Sequence, residues 1–534
     1  MKKKRGIIVA NIFYYVYNYW FTPRRKIQFV LHSGQGKEKI ILKRKVRVVF
    51  VELQLALPNL ASFLICPCYG IVLLATKLRN LGYTTSVMVE GVTKFSIEDL
   101  EEFDVICFSV KSGSANKTYQ WVDQLRNKGK IIFGGTHATY FPEDCLDHCD
   151  YVVRGEGDDV LPALLDCLEN KEDLTQIQGI SYSNNGDIVH NENISPPADL
   201  SIPADYSLVR DISHWSLVKS LLRGRRVTLP VQSSRGCPKN CSFCVVNKMF
   251  GSGYRKRPID AVISELKSAL RYTRSIQFID NDFVGSSDSD VERTAALLEA
   301  IIDSNLKFSA SAFVKLDIAK NRKLLELMRK AGIKTLMIGF ESINSKTLDK
   351  YNKHQEANEM IQTVNVIKEY GLDVSATFMA GSDEDNYQSI IQTAKVATKW
   401  DVEQLYYFML SPYPEMSETI PPKYVFLNNW DYATGNSIYF FPKNISPCKL
   451  QKAVNEANKI FNSYKRILNS LARGDFKKAS MLLTCKIMFS KIFNSLQKEY
   501  IPFLENLEKE YYVNNKLNEN ALKMKKITKL SDWN

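Results

Sequence analysis

Residues 233–244 read Ser-Ser-Arg-Gly-Cys-Pro-Lys-Asn-Cys-Ser-Phe-Cys and place three cysteines in a C-x-x-x-C-x-x-C pattern. Cys237, Cys241 and Cys244 follow an apolar run, 227–232, that predicts a β-strand. Three thiolates can hold three irons of a [4Fe–4S] cluster and leave the fourth iron open to another ligand. A structural zinc site needs four closed nitrogen or sulfur ligands, and no second C-x-x-C lies nearby. The pattern therefore favours an iron–sulfur cluster.

The sequence around this motif alternates between strand and helix patterns. Strands are predicted at 227–232, 275–279, 307–312, 335–340, 373–379 and 404–410. Six such units predict a partial, open (β/α)6 barrel of the TIM type. In such folds the chemistry lies at the carboxyl ends of the strands, which is where the three cysteines follow the first strand.

An earlier alternating series predicts a second α/β domain, a doubly wound, Rossmann-like parallel sheet. Its strands are expected at 46–51, 84–89, 104–110, 130–133 and 151–153, and its helices at 69–81, 96–103, 118–127 and 158–168. Ligands of such sheets bind beyond the carboxyl ends of the strands. Those ends carry Ser109, then Gly134-Gly135-Thr136, then Gly155-Glu156-Gly157.

Composition narrows the class of protein. At 534 residues the chain is too long for one hydrophobic core, so about two to four domains are expected. Eleven cysteines scattered along the chain do not form a disulfide framework, which indicates a reducing cytoplasm. The net charge of +13 favours anionic partners, but no basic–aromatic RNA-recognition motif is present, and no nucleic-acid partner is expected.

The cysteine spacing, with Phe243 just before the last cysteine, resembles that of the radical S-adenosylmethionine (SAM) enzymes. The resemblance implies that the open iron chelates the amino and carboxylate groups of SAM. Asp280, Asn281 and Asp282 resemble the segment that holds the SAM amino group in these enzymes. By the same resemblance, Glu341 would serve the ribose hydroxyls or the amino group, and Gly381 would let the backbone approach the adenine.

The N-terminal sheet resembles the cobalamin-binding domain that is fused to many radical SAM enzymes. The matching residues are Ser109 at a strand end, Tyr69-Gly70, Gly134-Gly135-Thr136 and Gly155-Glu156-Gly157. Glycines suit a wide, flat corrin because they allow the backbone to approach it closely. No Asp-x-His-x-x-Gly motif occurs in the chain, so the resemblance does not supply a protein imidazole as the lower ligand of cobalt.

Together these features resemble the cobalamin-dependent class B radical SAM methylases over residues 46–450. The resemblance implies that a 5′-deoxyadenosyl radical takes hydrogen from an unactivated carbon and that methylcobalamin methylates it. It divides the chain into an extension (1–44), a cobalamin-binding domain (45–170), a connector with a hairpin (171–222), a radical SAM barrel (223–425) and an aromatic strap with a helical region (426–534). A segment within the strap, 429–447, is expected to be a wall or lid over the cavity or an ordinary structural strap.

Three alternatives stay open on the sequence. A cyclase or rearrangement enzyme would use both cofactors without methyl transfer. A methylthiotransferase would hold a second cluster, and Cys66, Cys68, Cys107, Cys145 and Cys149 are extra thiols, although their spacing does not match that family. A cobalamin or redox sensor would bind the cluster without cleaving SAM.

The resemblance and the net charge of the chain together suggest an electron donor, a class of substrate and contact with a membrane. The family implies an electron donor such as flavodoxin or ferredoxin. The basic, aromatic N-terminus fits a membrane surface and a helix packed on the protein equally well. With the net charge, it suggests a small-molecule or lipid substrate and peripheral contact of a cytoplasmic protein with the inner face of the membrane.

Overall fold

The computed structural model describes residues 46–57, 64–125, 128–192, 198–214, 226–251, 253–413, 425–426, 429–513 and 516–517. The N-terminal extension 1–44 lies outside this range, so the structure does not address the prediction that rests on it. Within the described residues, no helix has both the length and the apolar character needed to cross a membrane.

Among the described residues, the N-terminal sheet has seven strands. They are β1 (Arg47–Glu52), β2 (Thr84–Val89), β3 (Val105–Ser109), β4 (Lys130–Gly134), β5 (Tyr151–Val153), β6 (Ile180–Asn184) and β7 (Asp187–His190). Their order is β2-β1-β3-β4-β5-β6-β7, and β1 to β5 are parallel. The order reverses at β1, so the ligand crevice of this sheet is expected at the carboxyl ends of β1 and β3.

Helices cover both faces of this sheet. They are α1 (Tyr69–Asn80), α2 (Ala115–Leu125), α3 (Thr136–Tyr140), α4 (Pro142–Leu146) and α5 (Gly157–Asn170). The helix predicted at 96–103 is a single 3-10 turn, Glu98–Leu100. Ser96 donates hydrogen bonds to Asp99 there, and such local side-chain bonds compete with a regular helix.

The hairpin predicted for the connector belongs to the sheet. Strands β6 and β7 pair antiparallel with each other, and β6 pairs antiparallel with β5 through Tyr151 and Tyr182. The hairpin therefore extends a parallel sheet by an antiparallel edge.

As far as the structure describes the chain, the barrel has six parallel strands in chain order. They are β8 (Leu229–Val231), β9 (Ser275–Phe278), β10 (Ser309–Val314), β11 (Ile333–Glu341), β12 (Asp373–Ala380) and β13 (Gln404–Met409). Between them lie α6 (Val246–Phe250), α7 (Ile259–Ala269), α8 (Asp288–Asp303), α9 (Arg322–Ala331), α10 (Ser345–Lys350), α11 (Ala357–Glu369) and α12 (Tyr387–Lys399). Each strand pairs with the next, and in the described part of the chain β8 does not pair with β13. The predicted open barrel is confirmed.

In the described residues after the barrel there are three helices, as expected for a helical C-terminal region: α13 (Pro447–Phe461), α14 (Tyr464–Ala472) and α15 (Phe476–Tyr511). The strap ahead of them joins the barrel edge, because Met409 N donates to Gly435 O over 2.8 Å. Residues on one face of the N-terminal sheet, including Val48, Phe50 and Cys107, share a continuous apolar core with the barrel and the C-terminal helices. The opposite face packs separately under α2, α3 and α4.

Candidate functional site

A cavity of about 330 Å³ lies between the strand ends of the N-terminal sheet and those of the barrel. Eight predicted cobalamin contacts line it, together with one predicted SAM contact: Tyr69, Gly70, Ser109, Gly134, Gly135, Gly155, Glu156, Gly157 and Asn281. Thr136, the first residue of α3, is outside the lining. The barrel also contributes Gln232, Arg235 and Ile279. One cavity therefore borders both predicted cofactor regions.

Glycines shape the sheet side of this cavity. Gly135 has φ +98°, and a Cβ there would lie 2.9 Å from Val110 O, so this loop requires glycine. At Gly70, nothing lies within 4 Å of the position that a Cβ would take. A side chain at position 70 would therefore enter open space beside the lining of the cavity.

The cavity has an apolar part beneath α1 and α5. Phe50, Ile71, Leu74, Ile132 and Leu161 line it there. Wide, flat organic groups bind in sites of this kind, which combine apolar walls with a few polar contacts and close backbone approach. The residues thus fit a corrin, which the resemblance implies here.

Tyr69 links the two sides of the cavity. Its hydroxyl donates to Glu265 of α7 over 3.0 Å, and Arg257 Nη1 lies 3.0 Å from the same carboxylate. Burial raises the pKa of Tyr69 well above its usual value and also raises the pKa of Glu265. Tyr69 therefore lines the cavity and also ties α1 to the barrel.

Glu156 lines the cavity as part of a buried ion cluster. Arg235 Nη1 lies 2.7 Å from Glu156 and 2.8 Å from Asp158, and Arg255 also pairs with Glu156. Arg235 and Glu156 are both buried. Since Arg235 is two residues before Cys237, the cluster connects the cysteine loop to the glycine loop at 155–157.

The cysteine loop is anchored to the barrel on both sides. Before it, residues Ser234–Arg235 pair antiparallel with Arg255–Lys256. Within it, the Ser242 hydroxyl donates to Lys350 O over 2.8 Å, and the ring centroid of Phe243 lies 4.9 Å from that of Tyr351. Phe243 thus supports the loop by packing against the barrel.

The three cysteines are partly exposed, and burial raises the pKa of each thiol, to about 11 for Cys244. Binding of iron would deprotonate them. Among the described residues, no three His, Cys, Asp or Glu side chains surround a single point as ligands of one ion would. A cubane cluster takes one cysteine at each of three irons, so its sulfurs stand farther apart than the ligands of one ion. The assignment of the three cysteines to such a cluster stays a prediction.

The three predicted SAM contacts after β9 have different surroundings. Asp280 is fully buried and accepts hydrogen bonds from the backbone and hydroxyl of Ser233 and from the hydroxyl of Ser234. Its carboxylate therefore fixes the start of the cysteine loop. Asp282 is buried 2.8 Å from Lys315 Nζ, whereas Asn281 is exposed and lines the cavity. Asn281 is the residue of this segment that can reach a ligand without breaking an existing contact.

Glu341 ends β11 in an unusual backbone conformation, with φ +62°. The register of β11 against β12 shifts between Gly339 and Glu341. Lys353 Nζ lies 2.7 Å from Glu341 Oε1, and a Cβ at Gly339 would collide with that carboxylate. A non-glycine residue held at positive φ at a strand end is a common feature of functional sites.

Gly381 follows β12 at φ +112°. A Cβ there would lie 2.7 Å from the ring of Phe440 in the strap. This contact accounts for the glycine without an adenine, so the assignment of Gly381 to adenine stays a prediction.

The strap packs on the N-terminal sheet as well. Trp430 Nε1 donates to Asp144 Oδ2 over 3.0 Å, and Tyr119 donates to the same oxygen over 2.6 Å. The fully buried His137 lies 2.8 Å from the Tyr119 hydroxyl, and burial lowers its pKa. The strap is therefore a structural bridge between the sheet and the barrel.

The extra thiols do not converge on one place. Cys107 belongs to the core shared with the barrel and also lines the cavity, whereas Cys145 is buried on the opposite face of the sheet and Cys149 packs there. Cys68 lines the cavity at the start of α1 and accepts from the Ser109 hydroxyl over 3.5 Å. This placement does not support a second cluster.

Sequence reasoning did not predict the ion pair of Arg235 with Asp158, the contact of Lys353 with Glu341, or the place of Cys68 in the cavity lining. Arg235 lies inside the quoted motif, and Asp158 directly follows the predicted glycine loop. A charged residue shortly after a predicted strand was the signal in the sequence that could have identified both residues. Lys353 carries no motif and reaches Glu341 only through the fold.

Two family models match the chain. That of the radical SAM superfamily matches residues 231–397, and that of the B12 binding domain matches residues 61–165. These ranges hold the cysteine loop and the glycine loops, respectively.

Curated proteins that are similar to this chain include methyltransferases and a cyclase. An uncharacterised methyltransferase of Pyrococcus horikoshii is 29% identical over 314 residues, which cover 58% of this chain and 64% of that protein. Bacteriochlorophyllide d C-8(2)-methyltransferase of Chlorobaculum tepidum is 22% identical, covering 59% and 67%. Anaerobic magnesium-protoporphyrin IX monomethyl ester cyclase of Cereibacter sphaeroides is 24% identical, covering 65% and 59%. The chain thus matches about two thirds or less of the length of these relatives.

A solved structure shares the fold. The cobalamin-dependent S-adenosylmethionine radical enzyme OxsB with aqua-cobalamin bound aligns with a TM-score of 0.63 at 16% identity, covering 92% of this chain and 79% of that one. At this identity the likeness concerns the fold alone.

Proposed function

Because this chain belongs to the cobalamin-binding radical SAM enzymes, we propose that it transfers a methyl group to an unactivated carbon of a small-molecule or lipid substrate. The cavity between the sheet and the barrel carries this proposal, because residues from both regions line the same space. A radical SAM enzyme that uses cobalamin for methyl transfer needs its two cofactors to share access to one carbon.

When bound, the iron–sulfur cluster and SAM supply a carbon-centred radical, and cobalamin supplies the methyl group. The protein's contribution is to bind, orient and exclude water. Cys237, Cys241 and Cys244 would hold the cluster. The glycine loops at 134–135 and 155–157, with Tyr69-Gly70, would hold the corrin.

The SAM contacts are proposed from geometry and family resemblance together. Asn281 would reach the SAM amino group from the cavity wall. Glu341, held at φ +62°, would accept hydrogen bonds from the amino group or the ribose if Lys353 released it. Asp280 would act indirectly, by holding Ser233 and Ser234 at the base of the cysteine loop.

A cyclase reaction is the second candidate, because a curated cyclase matches 65% of this chain. It would use the same cavity and the same residues. It would differ in the fate of SAM, since no methyl group would be transferred. In either case we propose a small electron-donor protein such as flavodoxin or ferredoxin, and a cytoplasmic location at the inner face of the membrane.

The test is an anaerobic reaction of the reconstituted full-length enzyme. It would contain cobalamin, dithionite, SAM labelled with deuterium in the methyl group, and an extract from cells that lack the gene. We expect S-adenosylhomocysteine and 5′-deoxyadenosine in equal amounts, and a product that carries the labelled methyl group. The Cys237→Ala variant should form neither nucleoside.

The product ratio separates the two candidates. 5′-Deoxyadenosine that accumulates with substrate turnover, but without S-adenosylhomocysteine, would reject methylation in favour of cyclisation or rearrangement. A reconstituted protein that holds its cluster and cobalamin but never cleaves SAM would reject both.

A further inference from the structure

The helical hairpin formed by α14 and α15 exposes an apolar surface. Ten large apolar side chains are exposed in the described part of the chain, and six of them lie on this hairpin at 43% to 69% exposure. The six are Tyr464, Leu468, Leu471, Phe476, Leu483 and Ile487. Single exposed apolar residues are ordinary, but a concentration of this kind marks an interaction surface.

The spacing shows that the exposed residues form stripes. Tyr464, Leu468 and Leu471 recur at intervals of four and three residues, which places them on one face of α14. The opposite side of the hairpin is already in the core, where Ile467 and Leu482 are buried. The exposed stripes are therefore additional to the faces that hold the hairpin on the protein.

The hairpin is also strongly basic. Residues 464–498 contain eight lysines or arginines and a single acidic residue, Asp475. Lys465, Arg473, Lys491 and Lys498 are exposed, and Lys486 Nζ lies 4.2 Å from the ring centroid of Tyr464. Arg466 and Lys478 are buried, and Lys477 pairs with Asp373. An apolar stripe bordered by cations is the pattern of helices that lie in the surface of an anionic bilayer.

A small pocket with a mixed polar and apolar lining, which includes Phe489 and Phe493, adjoins this surface. It has a volume of about 100 Å³ between α13 and α15, and its lining includes Lys459, Lys486, Asn455, Asn458, Asn462 and Asn494. The Asn458 Oδ1 atom is buried there without a hydrogen-bond partner. Two ammonium groups beside an unused acceptor suit a headgroup that combines a phosphate with a hydroxyl.

We propose that the α14–α15 hairpin docks the protein on the surface of an anionic phospholipid bilayer. The exposed stripes would enter the interface, the basic side chains would contact headgroup phosphates, and the pocket would take one phosphatidylglycerol headgroup. Docking is peripheral, and it does not depend on the chemistry proposed for the cavity.

Vesicle flotation of the full-length protein tests this proposal. We expect binding to vesicles of phosphatidylcholine with phosphatidylglycerol, weaker binding at high salt, and little binding to phosphatidylcholine alone. The double variant Leu468→Asp, Phe476→Asp should lower the fraction bound at least about tenfold. The control, Leu81→Asp with Ile188→Asp, changes two equally apolar exposed residues of the N-terminal domain, at 42% and 44% exposure, and should bind as the unmodified protein does.

A second variant examines the pocket. Lys459→Gln with Lys486→Gln should weaken binding to phosphatidylglycerol vesicles about tenfold. Circular dichroism and thermal unfolding would confirm that each variant is folded. Equal binding of the hairpin and control variants would overturn the proposal. So would light scattering that shows a dimer of the unmodified protein which the hairpin variant dissociates, because a second copy would then cover this face.

Discussion

The Gly70→Leu substitution gives opposite predictions for folding and for cobalamin binding. Gly70 is the second residue of α1, and no atom lies within 4 Å of the position of a Cβ. Because Gly70 is also exposed, we expect leucine to fit the free protein, and its helix propensity favours folding by up to about 1 kcal/mol. Gly70 also lines the cavity, so the added side chain would occupy space that the corrin needs.

The loss of affinity follows from overpacking. Extra methylene groups in a filled site typically cost about 1–3 kcal/mol, which corresponds to a dissociation constant about 5 to 150 times higher. Equilibrium dialysis with hydroxocobalamin would measure it, and thermal unfolding of the free protein would measure stability. Gly70→Ala should give a smaller loss, and Asn80→Leu, at the exposed far end of the same helix, should give none.

One result would refute the assignment of the cavity to the corrin. If Gly70→Leu is folded and binds cobalamin as tightly as the unmodified protein, the corrin does not approach α1 at this residue. A lower melting temperature with a parallel loss of binding would instead show that the space around Gly70 is not open.

Two further predictions concern buried polar groups. Glu156→Gln leaves Arg235 with one buried carboxylate partner, Asp158, and should lower the unfolding free energy by about 3 kcal/mol in urea titrations. Glu102→Gln, which removes an exposed ion pair, should cost less than about 1 kcal/mol. Burial lowers the pKa of His137 in the folded protein. The contribution of neutral His137 to the free energy of unfolding is therefore complete above about pH 6.5. It is lost as the pH falls, by up to about 1.4 kcal/mol per pH unit. The melting temperature of His137→Gln should therefore fall less steeply from pH 6.5 to 4.5 than that of the exposed-site control His354→Gln.

Periodicity was enough to predict the strands of both domains. The predicted strand at 84–89 is β2 to the residue, and the one at 373–379 differs from β12 by one residue. β12 lies between parallel neighbours and is mostly buried, so its local pattern and tertiary environment agree. β2 is the edge strand of its sheet, and only its second half, 87–89, is buried. The predicted helix at 96–103 failed because only Leu100 and Phe103 are buried, and its polar residues bond locally.

The side-chain roles at the strand ends were less predictable. The sequence predicts that Asp280 contacts a ligand, but in the structure its carboxylate accepts hydrogen bonds from the hydroxyls of Ser233 and Ser234. The sequence predicts that a ligand approaches the backbone closely at Gly381, but Phe440, from a distant segment of the chain, lies against this glycine. A motif gives the position of a residue on a strand, but the neighbours that occupy its hydrogen bonds and its free space come from other parts of the chain.

The buried ion cluster explains how two separately recognisable domains can serve one reaction. Arg235 belongs to the loop that carries Cys237, and Glu156 and Asp158 belong to the loop that lines the sheet side of the cavity. Burying three charged groups costs desolvation energy that their mutual attraction offsets only in close, well-directed contact. Sliding of one domain on the other would break that contact, so the cluster opposes it. The spacing between the cysteine loop and the glycine loop is therefore fixed by the same residues that line the cavity between them.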